Sequence, residues 1–354
     1  VFVAANRPAR GTRVSVTLVD VAREAGVDQS TVSRVLRDDH RAKATDETRA
    51  RIREVAARLG YVPNATARSL AMRRTSTIAL LIPQVSGFIY ADIIKGAGDE
   101  ARRLGYVLVV ADGSEMGRAN DAIRTLVLEG RVDGLLLASG TLTDQVTDGL
   151  ASVFGNIVVL NRQIASKIPR IIEDDEKGMY LGTCELIAAG HRRIGCLAGP
   201  KDVDTSRRRV AGYRKALREA GISALPELVV HTSFDEAGGH EGMLRLLDVS
   251  RPPTAVAAAS LAGAVGAMAA ARERGVVIPD DLSIVAFHDS PLADYLAPAL
   301  TTIAMPLREL GRQAVQMLHR QIIGEPGPKA VTVREPEPLV IRRQSVATLH
   351  SAAG

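Results

Sequence analysis

The chain has no tryptophan, two cysteines in 354 residues, and aromatic side chains amounting to 3%. Cys184 and Cys196 allow one disulfide at most, so this is no disulfide-stapled scaffold; a reducing compartment is expected, with both thiols acting as small buried hydrophobes. Long apolar runs are missing. IALLI and LLLA are too short to cross a bilayer. Residues 1–15 carry Arg7, Arg10 and Arg13 around no continuous apolar stretch, which does not read as a secretory signal but as a disordered arm. Catalytic signatures are missing as well: no G-x-G-x-x-G after a strand, no P-loop, no H-E-x-x-H and no G-x-S-x-G. His191, Cys184 and Cys196 show no catalytic spacing. No enzyme, metal or cofactor is expected.

What is present fits two or three domains with real cores, since 46% of the residues are hydrophobic and the length suffices. Charge is uneven. Residues 1–75 hold 15 Lys+Arg against 8 Asp+Glu, a net of +7, whereas the whole chain nets +5 and the remainder therefore −2. An excess of positive charge at one end suits a phosphate-binding module attached to a body that does not bind nucleic acid.

That end contains TLVDVAREAGVDQSTVSRVL, residues 17–36. Thr17 and Asp20 have capping-box spacing, with Asp in place of the usual Glu. Leu18, Val21, Ala22 and Ala25 recur at helical spacing, Gly26 supplies a turn, and Asp28 caps a second helix with Val32, Val35 and Leu36 inside. Its other face carries Gln29, Ser30, Ser33, Arg34 and Arg37, groups suited to base edges and phosphates in a major groove. This pattern is a helix-turn-helix whose second helix reads DNA. Thr45 caps a third helix, with Ile52, Val55, Ala56 and Leu59 buried, which Gly60 ends. Pro63-Asn64 then restarts the chain, and ATARSL is long enough for a short helix that is not stable alone.

From Thr77 onward, short β-branched runs alternate with helical ones. IALLIP, YVLVVAD, DGLLLAS and NIVVLN read as one set of buried parallel strands; RIIED, RIGCLAG, ELVVH, AVAAAS and LSIVAFH read as a second. Two consecutive sets predict two doubly wound lobes, with ligands at the carboxyl ends of the strands.

The opening VTLVDVAREAGVDQSTVSRVL resembles, almost residue for residue, the N-terminus of the LacI/GalR family of bacterial transcription regulators, and the resemblance extends to about Arg343. It implies an α/β chain: a three-helix helix-turn-helix head at 16–62, a hinge helix and linker at 63–75, and at 76–347 a two-lobed doubly wound body like periplasmic sugar-binding proteins. Lobe 1 is then about 76–161 and 304–324, and lobe 2 about 172–289 and 334–347. Chain crossings fall near 161–172, 289–303 and 324–334, with KAVTVREPEPLVIRR returning to lobe 2. The resemblance implies DNA contacts from Thr17, Leu18, Gln29, Ser30, Thr31, Ser33 and Arg34 in the head, and from Asn64, Ala67, Arg68 and Leu70 in the hinge, where the leucine wedges into the minor groove.

For a small-molecule effector the resemblance implies Phe88, Asn161, Arg162, Arg209, Phe234, Ser260 and His288. Arg209 matches the family's ligand-binding R-x-x-G-Y, while Arg207 and Arg208 are expected to be solvated and His191 structural. The chain departs from the family at Ser260-Leu261, where Asn-Asp is usual; at His288, where Asp is usual; and at Gly87-Phe88-Ile89-Tyr90, where Asn-Pro-Phe-Phe is common. These changes shift the expected lining toward positive charge, which suits an anion such as a sugar phosphate or carboxylate. The function expected is a cytoplasmic repressor that binds a pseudo-palindromic operator in double-stranded DNA as a homodimer, a tetramer being the alternative. A sugar, sugar phosphate or related acid controls it, with no membrane partner. A regulator governed by a partner protein, or a solute-binding protein, are the competing readings.

Overall fold

The computed structural model describes residues 16–36, 43–61, 74–83, 87–112, 125–126, 129–138 and 144–349. The chain divides into two units, residues 1–74 and 75–354.

In the first unit, α1 (Leu18–Ala25), α2 (Gln29–Val35) and α3 (Asp46–Arg58) close on a core of Val21, Ala25, Val32, Val35, Ile52 and Val55. Both arms of the Thr17–Asp20 capping box form, and Gly26 takes the left-handed conformation, φ 64°, that ends α1. The hinge residues Asn64, Ala67, Arg68 and Leu70 lie outside the described residues.

The second unit contains two six-stranded sheets. The first is built from β1 (Thr77–Ile82), β2 (Val107–Asp112), β3 (Gly134–Leu137), β4 (Ile157–Leu160), β5 (Arg170–Glu173) and β11 (Ala330–Val333), in the order β11-β5-β4-β3-β1-β2, all neighbours parallel. The second uses β6 (Ile194–Ala198), β7 (Val229–His231), β8 (Ala255–Ala258), β9 (Ser283–Phe287), β10 (Thr301–Ala304) and β12 (Leu339–Ile341), in the order β12-β10-β9-β8-β6-β7. Only the β10–β12 pair in it is antiparallel. The two orders are equivalent, and each reverses direction at one switch point: between β1 and β3, and between β6 and β8.

Helices α4 (Phe88–Arg103) and α5 (Asp144–Val153) lie in the first-lobe stretch; α6 (Asp175–Ala188), α7 (Asp204–Glu219), α8 (Glu236–Leu247) and α9 (Leu261–Glu273) lie in the second. Helix α10 (Leu307–Ile323) returns to the first lobe, where Leu310, Val315 and Leu318 join Ile93, Ala97 and Leu80 in one core. The backbones of α4 and α10 nearly touch. A Cβ on Gly96 would sit 1.9 Å from the Arg308 carbonyl oxygen.

Two strand assignments from sequence need correction. RIIED does not open the second lobe: Arg170–Glu173 pairs with β4 and completes the first sheet. Parallel neighbours usually need a crossover of a dozen or more residues, and the connection 161–169 contains no helix, so the pattern hid the pairing. KAVTV likewise belongs to the first sheet, through β11 and β5, and only Leu339–Ile341 reaches the second. The chain therefore changes lobes just after Glu173, just after Ala304 and between Val333 and Leu339, each later than expected. Both thiols are free; Cys196 is buried, but Cys184 only partly so.

Candidate functional site

The first candidate surface is the outer face of α2. Val32 and Val35 have no exposed surface and anchor the helix, leaving Gln29, Ser30 and Arg34 exposed and Thr31 and Ser33 partly so. Asp28 accepts the Thr31 backbone N–H at 2.9 Å and the hydroxyls of Ser30 at 2.5 Å and Thr31 at 2.6 Å. These bonds, the Ser30 hydroxyl's first, hold the Asp28 carboxyl below the usual carboxylate range. Ser30 and Thr31 thus spend their protons on the cap and offer only lone pairs outward, while Gln29 and Arg34 bring donors. Thr17 serves the α1 cap, and Leu18 is half-buried against the head core.

The second is a cavity of about 470 Å³ in the body, within the range of small-molecule sites. It lies where topology directs a ligand, because its lining comes from residues just past the two switch points. Pro83, Gly87, Tyr90 and Ala138 follow β1 and β3; Pro200, Asp204, Thr205, Ser260 and Leu261 follow β6 and β8. Asn161, Arg162, Arg209, Phe234 and His288 also line it, so six of the seven effector candidates converge. Phe88 is the first residue of α4, and its side chain lies outside what is described.

Convergence does not make their roles equal. Arg209 is buried and fully engaged. Its Nε donates to Asp175 at 2.6 Å, one Nη to the Ala259 carbonyl at 2.6 Å and the other to Glu173 at 3.4 Å, and its Cζ lies 4.1 Å from the Phe287 ring centroid. Arg208, expected to be solvated, is instead 14% exposed and donates to Asp204, Asp175 and the Glu173 carbonyl. Ser260 caps α9, accepting from the Gly263 N–H and donating to the Phe234 carbonyl, so its hydroxyl serves the fold. The Phe234 ring covers Gly199 so closely that a Cβ there would be 2.1 Å from its Cζ. His191, buried and bonded to Thr254, is structural as expected.

The expected positive lining does not hold. Glu173 and Asp175, both with no exposed surface, oppose Arg208 and Arg209, and Asp202, Asp204, Asp235 and Glu236 add acid around the cavity. Burial alone would raise the Glu173 carboxyl. Its partner His288 and the nearby Arg209 and Arg208 outweigh that and hold it below the ordinary range. Asp175 goes the other way: burial raises it beyond what Arg209 recovers. The sequence reading missed both acids. Three successive acids at a strand's carboxyl end, Glu173-Asp174-Asp175, were the available signal, because alternate residues there share a side. Among the described residues, no cluster of His, Cys, Asp or Glu could hold a metal ion, and no helix is long and apolar enough to cross a membrane.

Comparison with known proteins is consistent with both surfaces. A profile of bacterial regulatory proteins of the lacI family matches residues 17–64, and one of the periplasmic binding protein-like domain matches residues 183–346. The ribose operon repressor of Haemophilus influenzae is 37% identical over 334 residues, 94% of this chain and 99% of that repressor. The transcriptional repressor CytR of Escherichia coli is 31% identical over 318 residues, 90% of this chain and 93% of its own length. Among solved structures, the lac repressor dimer bound to operator and the anti-inducer ONPF matches with a TM-score of 0.81 at 29% identity, covering 94% of this chain and 99% of that one. The complex of the regulator CelR with cellobiose matches with a TM-score of 0.71 at 31% identity, covering 93% and 99%.

Proposed function

We infer function from one premise: this chain belongs to the LacI family of bacterial regulatory proteins. It is a DNA-binding transcriptional regulator, and within the family we read it as a repressor working in the cytoplasm. Two copies each place α2 in a major groove, so the operator is a pseudo-palindrome. The head (16–62), the hinge (63–75) and the body (76–347) divide the work. The hinge contacts fall to Asn64, Ala67, Arg68 and Leu70, with Leu70 wedging a base step. A small polar molecule in the body cavity changes the lobe angle and with it the free energy of ordering the hinges, which is the coupling between the two sites. We assign the protein no reaction of its own.

One observation carries the reading: α2 shows solvent a face of Gln29, Ser30 and Arg34 while Val32 and Val35 lock it to the head. Selection of duplexes from a random pool by the full chain, followed by footprinting, tests it. A protected site with two-fold related halves is expected. Selected sequences without related halves would remove the dimeric operator, and no selection at all would remove sequence-specific binding.

A further inference from the structure

Asp133 is the last residue before β3, and its carboxylate closes on the two residues that lead into β1. Oδ1 accepts the Thr75 N–H at 2.7 Å and the Thr75 hydroxyl at 2.9 Å, and Oδ2 accepts the Ser76 N–H at 2.8 Å. The backbone holds the same place twice more. The Asp133 N–H donates to the Thr77 carbonyl at 2.7 Å, and the N–H of Val107, the first residue of β2, donates to the Ser76 carbonyl at 2.8 Å. The Asn156 side chain donates to the Asp133 carbonyl at 2.9 Å. Ser76 has a φ of 52°, a conformation that residues other than glycine rarely adopt. Among the described residues it shares this backbone only with Asn161 and His288, and both of those line the cavity. Such strain costs free energy and persists where surrounding bonds over-determine it.

The sheet does not require this carboxylate. Strands β1, β2 and β3 are already paired along their lengths, with Thr77 against Val107 and Ile78 against Gly134. What the carboxylate adds lies outside the ladder, on Thr75 and Ser76, immediately after the boundary that divides the chain at residue 74. A carboxylate that accepts N–H groups makes charge-assisted bonds, roughly twice as strong as neutral ones. We propose that Asp133 is a positioning residue for operator binding: by gripping Thr75 and Ser76 it fixes the point from which the linker leaves the body. The inference rests on the reading above that two copies bind one operator through that linker. Without the grip, two more residues in each copy are loose in the free protein and must be ordered when both heads settle on their half-sites. Ordering the backbone of one residue shifts an equilibrium by about tenfold. A fixed point of departure also limits the half-site separations that two heads reach together. Strand β1 joins this anchor to the ligand side. Its six residues span about 20 Å, are buried from Ile78 to Ile82, and lead to Pro83 on the cavity wall.

Binding of the full chain to three kinds of duplex tests this: the operator obtained by the selection above, that operator with one base pair added or removed between its halves, and a duplex of unrelated sequence. One base pair turns a half-site by roughly 35° about the duplex axis. Asp133→Ala should lose about tenfold or more on the operator and discriminate less than the parent against the altered spacings. It should bind the unrelated duplex as the parent does, because phosphate charge governs that contact. Thr75→Val removes one of the three donors and should move operator affinity the same way by about threefold. Asn156→Ala removes a bond to Asp133 without touching the carboxylate, and should keep the parent's operator affinity and spacing penalty. Parental affinity and spacing penalty in a folded Asp133→Ala would overturn the proposal. So would an equal loss on operator and unrelated duplex, or the same loss in Asn156→Ala, since either marks a general weakening of the lobe. If Asp133→Ala does not fold, Thr75→Val decides, and parental behaviour there overturns the proposal. Each of these failures leaves the regulator reading standing, because the parent still prefers one spacing; a parent that selects no site with related halves takes both down.

Discussion

Arg209 Nε lies 2.6 Å from Asp175 Oδ1, and neither side chain is meaningfully exposed. The arginine that sequence motifs mark as a ligand contact is thus also the counter-charge of two buried carboxylates. Removing it leaves Asp175 and Glu173 short of their partner, and breaking a buried pair from one side typically costs about 3–5 kcal/mol. Arg209→Ala should therefore lower the urea midpoint of the body, and not simply silence a ligand response. Arg209→Lys should fall in between, because one ammonium cannot reproduce three directed bonds. A midpoint for Arg209→Ala equal to the parent's would show that the acids neutralise or repartner without it.

Arg34 stands free of the head core on the face that Val32 and Val35 support. If it holds a guanine bidentately, Arg34→Ala should cost about 1–3 kcal/mol and relax preference at one position per half-site. Binding curves against a set of single-base operator variants check this. A uniform loss across all variants would reassign Arg34 to phosphate.

Glu100 on α4 accepts from Arg103 at 2.6 and 2.9 Å and from Gln316 on α10 at 2.8 Å. These bonds, Arg103's first, bring its carboxyl down from 4.5 to about 2. A carboxyl with a depressed folded-state value contributes stability above its unfolded value and loses it as pH falls through the folded one. Its share should be complete above pH 4.5 and vanish toward pH 2. Allowing for the solvent around Arg103, the contribution is about 1–2 kcal/mol. Glu100→Gln should show a shallower stability loss than the parent between those pH values. Parallel curves would refute the assignment.

Leu70, outside the described residues, is assigned the minor-groove wedge. Leu70→Ala should leave the body's unfolding curve unchanged while reducing operator bending, because the side chain that offsets base unstacking is lost. Circular-permutation gels showing one bend angle for both proteins would exclude the wedge.

Much of this molecule is readable from sequence, where the information is local. Thr17, Gly26, Asp28 and Thr45 act within four residues of themselves, and each caps or ends the helix expected of it. Strand ends pointed to Asn161 and His288 because topology sends a carboxyl end to the ligand side. What stayed hidden depends on distant partners. Glu173 meets His288 across 115 positions, and its place in the strand RIIE gives no hint of that partner. Arg208 looked like a solvated neighbour of Arg209 because helical spacing gives a face and not what packs against it. Ser260 was misleading in the opposite sense: it lines the cavity, yet its side chain caps α9, a local use that Ser before a helix already suggested, and donates to the distant Phe234 carbonyl.

The return of α10 to the first lobe has a consequence for how the protein is made. Ile93 and Ala97 are synthesised some ~200 residues before Leu310 and Leu318, which complete their core, and β11, the outer strand of the same sheet, follows later still. At ribosomal rates of about 5–20 residues per second, the first lobe waits roughly 10–40 s with an apolar helix face uncovered. Apolar surface left open in that way is what makes incompletely folded chains prone to aggregate. The head, whose core uses only residues between Val16 and Tyr61, can be finished long before. A nascent repressor thus acquires its DNA-reading surface first and the means of being regulated last.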